Sequence, residues 1–443
     1  MPVRYHASHA WIGDAVAADV LIEVSGERFT GVTVGVPAPP DAVRLTGLTL
    51  PGMADAHSHA FHRALRGRVQ ADRGTFWTWR SRMYEVAARL DPDSYFALAR
   101  AVYAEMALAG ISCVGEFHYL HHGPGGTPYD DPNAMGAALL AAAGEAGIRL
   151  TLLDTCYLTG GIGEELSGPQ LRFGDGTATA WASRVSSLRP VGHARVGAAI
   201  HSVRAVPREQ IGTVAGWADA HDAPLHVHLS EQPAENDACG AAYGLTPAAL
   251  LADSDALGPR TVAVHATHLT GSDIELLGAT HTGVCMCPTT ERDLADGIGP
   301  ARDLADAGAP LSLGSDQHAV IDLFEEARAV ELDERLRTRR RGHWTAGELL
   351  TAATAAGHTA LGWPEAGRIE PGAYADLVTV SLDSVRLAGA APDHLAEAAV
   401  FAASPADVRH VVISGRKVVD GGRHLLVEDV PAALAETIAA VTG

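Results

Sequence analysis

Along the chain, short apolar runs that close on polar residues alternate with stretches whose apolar positions recur at helical spacing. Between residues 52 and 370, strand-like runs end near His59, Tyr119, Tyr157, His201, His228, His265, Cys287 and Asp316. Helical patterns fall between or after them, as at 93–109, 209–220 and 322–335. Parallel strands need a crossover connection, usually a helix, so this alternation predicts a parallel sheet. Eight such units in about 300 residues predict a closed (β/α)8 barrel.

The two ends of the chain have a different texture. Segments 18–24, 29–34 and 44–50 read as short β-strands punctuated by Gly and Pro, and the same texture returns at 375–381, 408–414 and 417–419. Neither end has enough strands for a stable sheet alone. Together they predict one small, discontinuous β-sandwich domain from residues 1–51 and 371–443, flanking a barrel domain at 52–370.

Composition narrows the function. The 443 residues are 47% hydrophobic, enough for a large core, and the formal charge is −20. The short basic run at 335–341 reads as a solvated helix end, so nucleic acid is not an expected partner. No uninterrupted apolar run reaches about 18 residues and the start lacks a signal-peptide pattern, so no membrane association and a cytoplasmic location are expected. The five cysteines form no regular framework, and Cys285 and Cys287 read as buried strand residues rather than as half of a metal site. Lys417 is the sole lysine.

The first chemical signal is Asp55-Ala56-His57-Ser58-His59, directly after an apolar run. Residues i and i+2 of a strand point to the same side, so His57 and His59 aim two imidazoles at one place. Alone, such a pair is weak evidence. His228, His265 and Asp316 also close apolar strands, the fifth, sixth and eighth, at the barrel end where active sites are built. A core-packing explanation competes for any one of these residues but fits the set poorly. Three imidazoles and a carboxylate suit one divalent ion, Zn²⁺ first, although Fe²⁺ and Mn²⁺ accept the same donors.

This arrangement resembles the amidohydrolase superfamily, with His-x-His on strand one, His on strands five and six, and Asp on strand eight. The resemblance covers essentially the whole chain. It implies His57, His59, His228 and Asp316 as metal ligands. Many members bridge two metals with a carbamylated lysine on strand four, and the position of Lys417 far from the barrel excludes that version. The spacing of His228 and Glu231 is similar to the mononuclear deaminase branch instead. There the resemblance implies Glu231 as the proton carrier, His265 as the group polarising substrate, and Asp316 as ligand and water base.

Finer strings resemble the formimidoylglutamate deiminase family: His57-Ser58-His59-Ala60-Phe61, Phe76-Trp77-Thr78-Trp79-Arg80, Gly115-Glu116-Phe117-His118-Tyr119 followed by His121-His122, and His201-Ser202-Val203-Arg204-Ala205-Val206. Members convert N-formimidoyl-L-glutamate and water to N-formyl-L-glutamate and ammonia in histidine degradation. That substrate carries two carboxylates, which arginine binds with paired N–H donors. The resemblance implies Arg80 and Arg204 as carboxylate partners, with Tyr119 and His201 as further hydrogen-bonding groups. Without it, both arginines read better as ordinary ion pairs. The family carries Gln where this chain has His62, at a position expected to touch substrate; an imidazole lacks the paired edge of an amide.

Two other functions compete. Deamination of an aromatic heterocycle, such as guanine or an adenosine derivative, calls for apolar walls rather than paired arginines, and aromatic residues are only 5% of the chain. A catalytically dead barrel acting as an assembly subunit predicts lost ligands, whereas all are present. A homodimer is expected from barrel size alone, with no interface visible in the sequence.

Overall fold

The computed structural model describes residues 2–74 and 76–443, without the side chains of Asp72, Phe76 and Trp77; the first two residues of the Phe76–Arg80 string therefore lie outside the described side chains. The chain opens with β1 (Val3–Ile12), β2 (Ala15–Ser25), β3 (Arg28–Thr33) and β4 (Val43–Pro51). In β2, Val20, Ile22 and Val24 are buried while Leu21 and Glu23 between them are half-buried, the period-two pattern of a strand with one covered face. The sequence pattern misses β1. Its pairing with β4 shifts register between Ala7 and His9, and the bulge breaks the alternation.

The barrel follows as β5 (Met53–Ser58), β6 (Ile111–His118), β7 (Arg149–Cys156), β8 (Ala194–Ile200), β9 (Leu225–Leu229), β10 (Thr261–His265), β11 (Gly283–Met286) and β12 (Leu311–Leu313). Each strand lies beside its chain neighbour, and every pairing is parallel. The expected (β/α)8 order is present strand by strand, and Cys285 and Cys287 are buried with free thiols.

The helix Pro92–Leu108 shows how the outer layer is specified. Asp91 and Ser94 form a reciprocal capping box, and Pro92 occupies the first turn, where a missing N–H costs nothing. Tyr95, Leu98, Ala99, Val102, Tyr103 and Met106 recur at helical spacing and are all buried. A Leu98→Ala change there would cost about 2–5 kcal/mol.

After the barrel come β13 (Leu377–Val380), β14 (Val408–Ile413), β15 (Arg416–Asp420) and β16 (Arg423–His424). They join the N-terminal strands in one mixed sheet of order β16-β15-β14-β13-β4-β1-β2-β3. The two chain ends thus meet in a single hydrogen-bonded layer through β4 and β13. Asp376, just before β13, forms a buried ion pair with Arg149 at the start of β7, and Arg149 also donates to Ser414 Oγ at 2.8 Å. The C-terminal region also forms two helices that its β-texture did not announce, Leu395–Ala402 and Val430–Thr442. The second packs on helix Pro92–Leu108. Among the described residues, no helix is long and apolar enough to cross a membrane.

Candidate metal centre and substrate pocket

The barrel closes where the chemistry is. Between β5 and β12 the closing bonds are His59 N–H to Asp316 O at 3.1 Å and Asp316 N–H to His57 O at 2.9 Å. Beneath them the buried Asp55 carboxylate accepts Ser315 N–H at 2.9 Å and the Ser315 hydroxyl, locking the first strand to the eighth. Gly314 permits the approach: a Cβ there would lie 2.8 Å from both the Cβ and the carbonyl oxygen of His57. The sequence-adjacent pair His57/His59 and the distant Asp316 are therefore set against each other by backbone bonds.

The donor atoms converge. His57 Nε2 lies 3.1 Å from His228 Nε2 and 3.4 Å from Asp316 Oδ1, and His59 Nε2 is 3.3 Å from the same oxygen. His59 Nδ1 bonds the carbonyl of Phe117 at 2.9 Å and His228 Nδ1 that of His201 at 2.9 Å. A carbonyl only accepts, so both protons sit on Nδ1 and both Nε2 lone pairs face the common point. His57 Nδ1 is buried without a hydrogen-bond partner among the described residues. Metal–nitrogen bonds of about 2.0–2.1 Å at near-tetrahedral angles separate ligand atoms by roughly 3.3 Å, the spacing found from His228 to His57 and from Asp316 to His57 and His59; His57, His59 and Asp316 form one group able to hold a divalent ion, and His57, His228 and His265 another. Burial draws the His57 imidazole down to about 3, and burial lowers His59 and His228 as well, keeping all three neutral. Burial opposes ionisation of Asp316, but its hydrogen bond and charge interactions with His57, His265 and His59 hold it well below the usual carboxylate range. Lys417 lies on β15, bonded to Asp420 at 3.2 Å, outside the barrel.

Beside the donors, His265 Nε2 is 3.9 Å from Glu231 Oε1 and 3.7 Å from Asp316 Oδ2. Burial works against charge on His265, yet Glu231, Glu291 and Asp316 together raise it well above its ordinary value. Burial, with Asp316 and Glu235 adding to it, raises the Glu231 carboxyl. The backbone is strained here. Ser230, His265, Ala266, Asp316 and His318 all have φ between 44° and 68°, at about 1–3 kcal/mol each for side-chain-bearing residues.

One cavity opens above these groups. His59, His62, Arg80, Tyr119, His201, Arg204, His228, Glu231, His265 and Asp316 all line it, while His57 lies buried beneath. His62 Nε2 is 2.9 Å from Tyr119 Oη. His201 packs its ring 4.3 Å from that of Tyr157, centroid to centroid. Arg204 Nε donates to Glu235 at 2.8 Å, and Glu235 also accepts Ser230 N–H at 2.9 Å, so the guanidinium is braced from behind by the turn after β9. Burial opposes the Arg204 charge but Glu235 outweighs it and raises the group. Arg80 sits on the helix Phe76–Arg89, its guanidinium carbon 5.4 Å from the centre of the Tyr84 ring. Arg204 is thus ion-paired to Glu235 and Arg80 lies over Tyr84, and both stand on the cavity wall.

Sequence reasoning missed Met83, Tyr84, Phe173 and Leu294 in this wall, and gave no role to Trp79 or Tyr157. The low aromatic content misled: Trp79, Tyr84, Tyr119, Tyr157 and Phe173 are gathered into one cavity from four separate segments. Among them, Tyr119 and Tyr157 close predicted strands and Trp79 lies in the Phe76–Arg80 string, whereas Tyr84 and Phe173 carried no signal.

A second buried histidine–carboxylate group lies apart from this cavity, formed by His118, His121 and Asp154. Here Arg184 donates to both Asp154 oxygens at 2.8 and 3.0 Å, and Trp181 Nε1 to one of them at 2.9 Å.

Comparison with known proteins agrees with this geometry. The amidohydrolase family model matches residues 48–418. A formimidoylglutamate deiminase from Pseudomonas aeruginosa is 37% identical over 433 residues, covering 94% of this chain and 95% of that one. An 8-oxoguanine deaminase from the same organism is 30% identical over 399 residues, covering 87% and 86%. A crystal structure of an amidohydrolase from Brucella melitensis, 33% identical, superposes with a TM-score of 0.92 over the full length of both chains.

Proposed function

The chain belongs to the amidohydrolase family, and from that premise we propose that it is a deiminase hydrolysing N-formimidoyl-L-glutamate to N-formyl-L-glutamate and ammonia. The observation that carries this reading is the polarity of a single cavity. Its floor holds Asp316 and Glu231 beside the converging imidazoles, and its wall holds Arg80 and Arg204. A linear substrate with an amidine at one end, one carboxylate on the carbon next to it and a second carboxylate at the far end offers a group to each pole.

In this reading His57, His59, His228 and Asp316 hold one divalent ion, Zn²⁺ by the chemistry of the donor set. When bound, the ion supplies Lewis acidity that lowers the pKa of the attacking water. Asp316 orients that water and Glu231 takes its proton. A carboxyl raised by burial holds a proton long enough to pass it on, so Glu231 then delivers it to the imino nitrogen; as the C–N bond breaks, the remaining hydroxyl proton of the adduct passes to the same nitrogen, leaving the formyl carbonyl and ammonia. His265 donates from Nε2 toward the reacting carbon's substituents. Arg80 and Arg204 bind the carboxylates, Tyr119 and His201 add hydrogen bonds, and His62 acts through Tyr119.

The five aromatic side chains on the same wall favour a second reading, deamination of a purine-like ring. The arginines separate the two, because a neutral purine offers them no carboxylate. Ammonia release should be measured on N-formimidoyl-L-glutamate, formimidoylglycine, guanine and methylthioadenosine. N-formimidoyl-L-glutamate should be turned over best. Arg80→Met or Arg204→Met should each lower kcat/KM on it about ten- to a hundred-fold, the loss of one charge-assisted contact of about 1.5–3 kcal/mol, at unchanged ion content. A preference for either purine would transfer the protein to the second reading.

A further inference from the structure

We propose that Glu291 is the positioning residue that fixes the ring and tautomer of His265; this rests on the reading of His265 as the group that polarises substrate. Glu291 lies in the helix Pro288–Asp293, which starts directly after β11, and is almost fully buried. Its Oε1 accepts the Cys287 backbone N–H at 2.9 Å and lies 3.3 Å from His265 Nδ1. The side chain folds back onto the start of its own helix, so the acceptor is fixed before His265 reaches it.

That matters because an imidazole has two nitrogens and a ring that can turn. With a carboxylate oxygen facing it, Nδ1 must carry a proton in either charge state. The other nitrogen, Nε2, is then held in the gap between Glu231 at 3.9 Å and Asp316 at 3.7 Å. His265 itself has φ 68°, and its terminal torsion leaves the ring two broad orientations, so a partner is needed to select one. Among the described residues, the only hydrogen bond of the ring is the one to Glu291. Glu291 does not itself line the cavity; it reaches it through His265.

The test uses the full-length, zinc-loaded protein with Glu291→Leu, which removes the acceptor, and Glu291→Gln, which keeps it. Glu291→Leu should lower kcat on N-formimidoyl-L-glutamate about 10- to 100-fold, the usual cost of losing a partner that orients an active-site histidine. KM should stay within about threefold and ion content by elemental analysis should be unchanged. Glu291→Gln should restore kcat to within about fivefold of wild type, since an amide oxygen accepts the same proton. Nitrogen-15 NMR of the histidine rings, with His265 assigned by its absence in His265→Gln, gives a readout free of any substrate. Wild type and Glu291→Gln should show a protonated Nδ1, and Glu291→Leu a mixed population. An unprotonated Nδ1 in wild type, or a Glu291→Leu variant with kcat within twofold and full ion content, would overturn the proposal. If Glu291→Leu does not fold, the NMR comparison of wild type with Glu291→Gln decides. If none of the amidines is turned over, the proposed reaction fails while the ring measurement still judges Glu291.

Discussion

The two buried histidine–carboxylate groups are built from the same residue types and differ in one respect. At His57, His59, His228 and Asp316, the carboxylate meets only imidazoles, and among the described residues no arginine or lysine bonds it. At His118, His121 and Asp154, Arg184 bonds both carboxylate oxygens and continues to Asp175, which also pairs with His122 at 3.1 Å. In the first group no arginine or lysine among the described residues pairs with the carboxylate; in the second Arg184 does. A cluster of metal-binding residue types becomes a metal site only where its charge is unspent and its lone pairs face one point.

The sharpest way to break this comparison is to count ions. Elemental analysis should find about one divalent ion per chain, lost together with at least about 100-fold in activity in Asp316→Ala, while His121→Asn keeps full ion content. Two tightly bound ions, or loss of the ion in His121→Asn, would put both groups in the same class.

Removing the internal cation should expose what it does. Arg184→Met leaves Asp154 and Asp175 buried without it, and breaking such a network should cost about 3–5 kcal/mol in chemical denaturation. Ion content per folded molecule should not change. A variant as stable as wild type would mean that Arg184 is incidental to the second group.

Within the first group, Glu231→Gln separates holding an ion from using it. The variant should keep its ion and lose about 100-fold in kcat, because an amide cannot accept the water's proton. Near-normal turnover in a folded, ion-loaded variant would make Glu231 a bystander.

A further effect is expected on acid stability. Burial, with Arg184 adding to it, holds the His121 ring down to about 4, whereas the unfolded chain binds that proton near 6.5. His121 therefore contributes stability that is fully present above about pH 6.5 and is lost as pH falls toward about 4, at up to about 1.4 kcal/mol per pH unit. Asp154 is held below the usual range, where Arg184 and His121 outweigh burial, so its contribution is lost only below about pH 4. Denaturation curves of His121→Asn should be flatter than wild type between about pH 6.5 and 4. An unchanged slope in the upper window would show that His121 is not held neutral.

Much of the barrel could be read from the chain because strand ends coincide with a local change from apolar to polar residues, as at His265 after Val262-Ala263-Val264. The strand β1 escaped because its bulge breaks the period on which such reading depends. The converging donors were legible for a related reason: His57 and His59 share a face by strand geometry alone, and the others close strands at the same barrel end. The pocket walls were not. Tyr84 and Phe173 sit in segments with no period or motif to mark them, and their place follows from how helix Phe76–Arg89 and the turn after Gly168–Arg172 cover the barrel mouth.

The sequence by itself determined the order of strands and helices, the residues that close each strand, and the absence of any lysine able to bridge two metals in the barrel. Those are properties of neighbours in the chain, where spacing translates directly into direction. Only the tertiary structure decided that Asp316 is left to imidazoles while Asp154 is claimed by Arg184, that Arg204 is braced by Glu235, and that five aromatic side chains share one cavity with two arginines. Each depends on side chains tens to hundreds of residues apart meeting within about 3–5 Å, the range over which hydrogen bonds and ring packing act. Barrel closure between β5 and β12 sets those distances, and no local pattern in the chain encodes them.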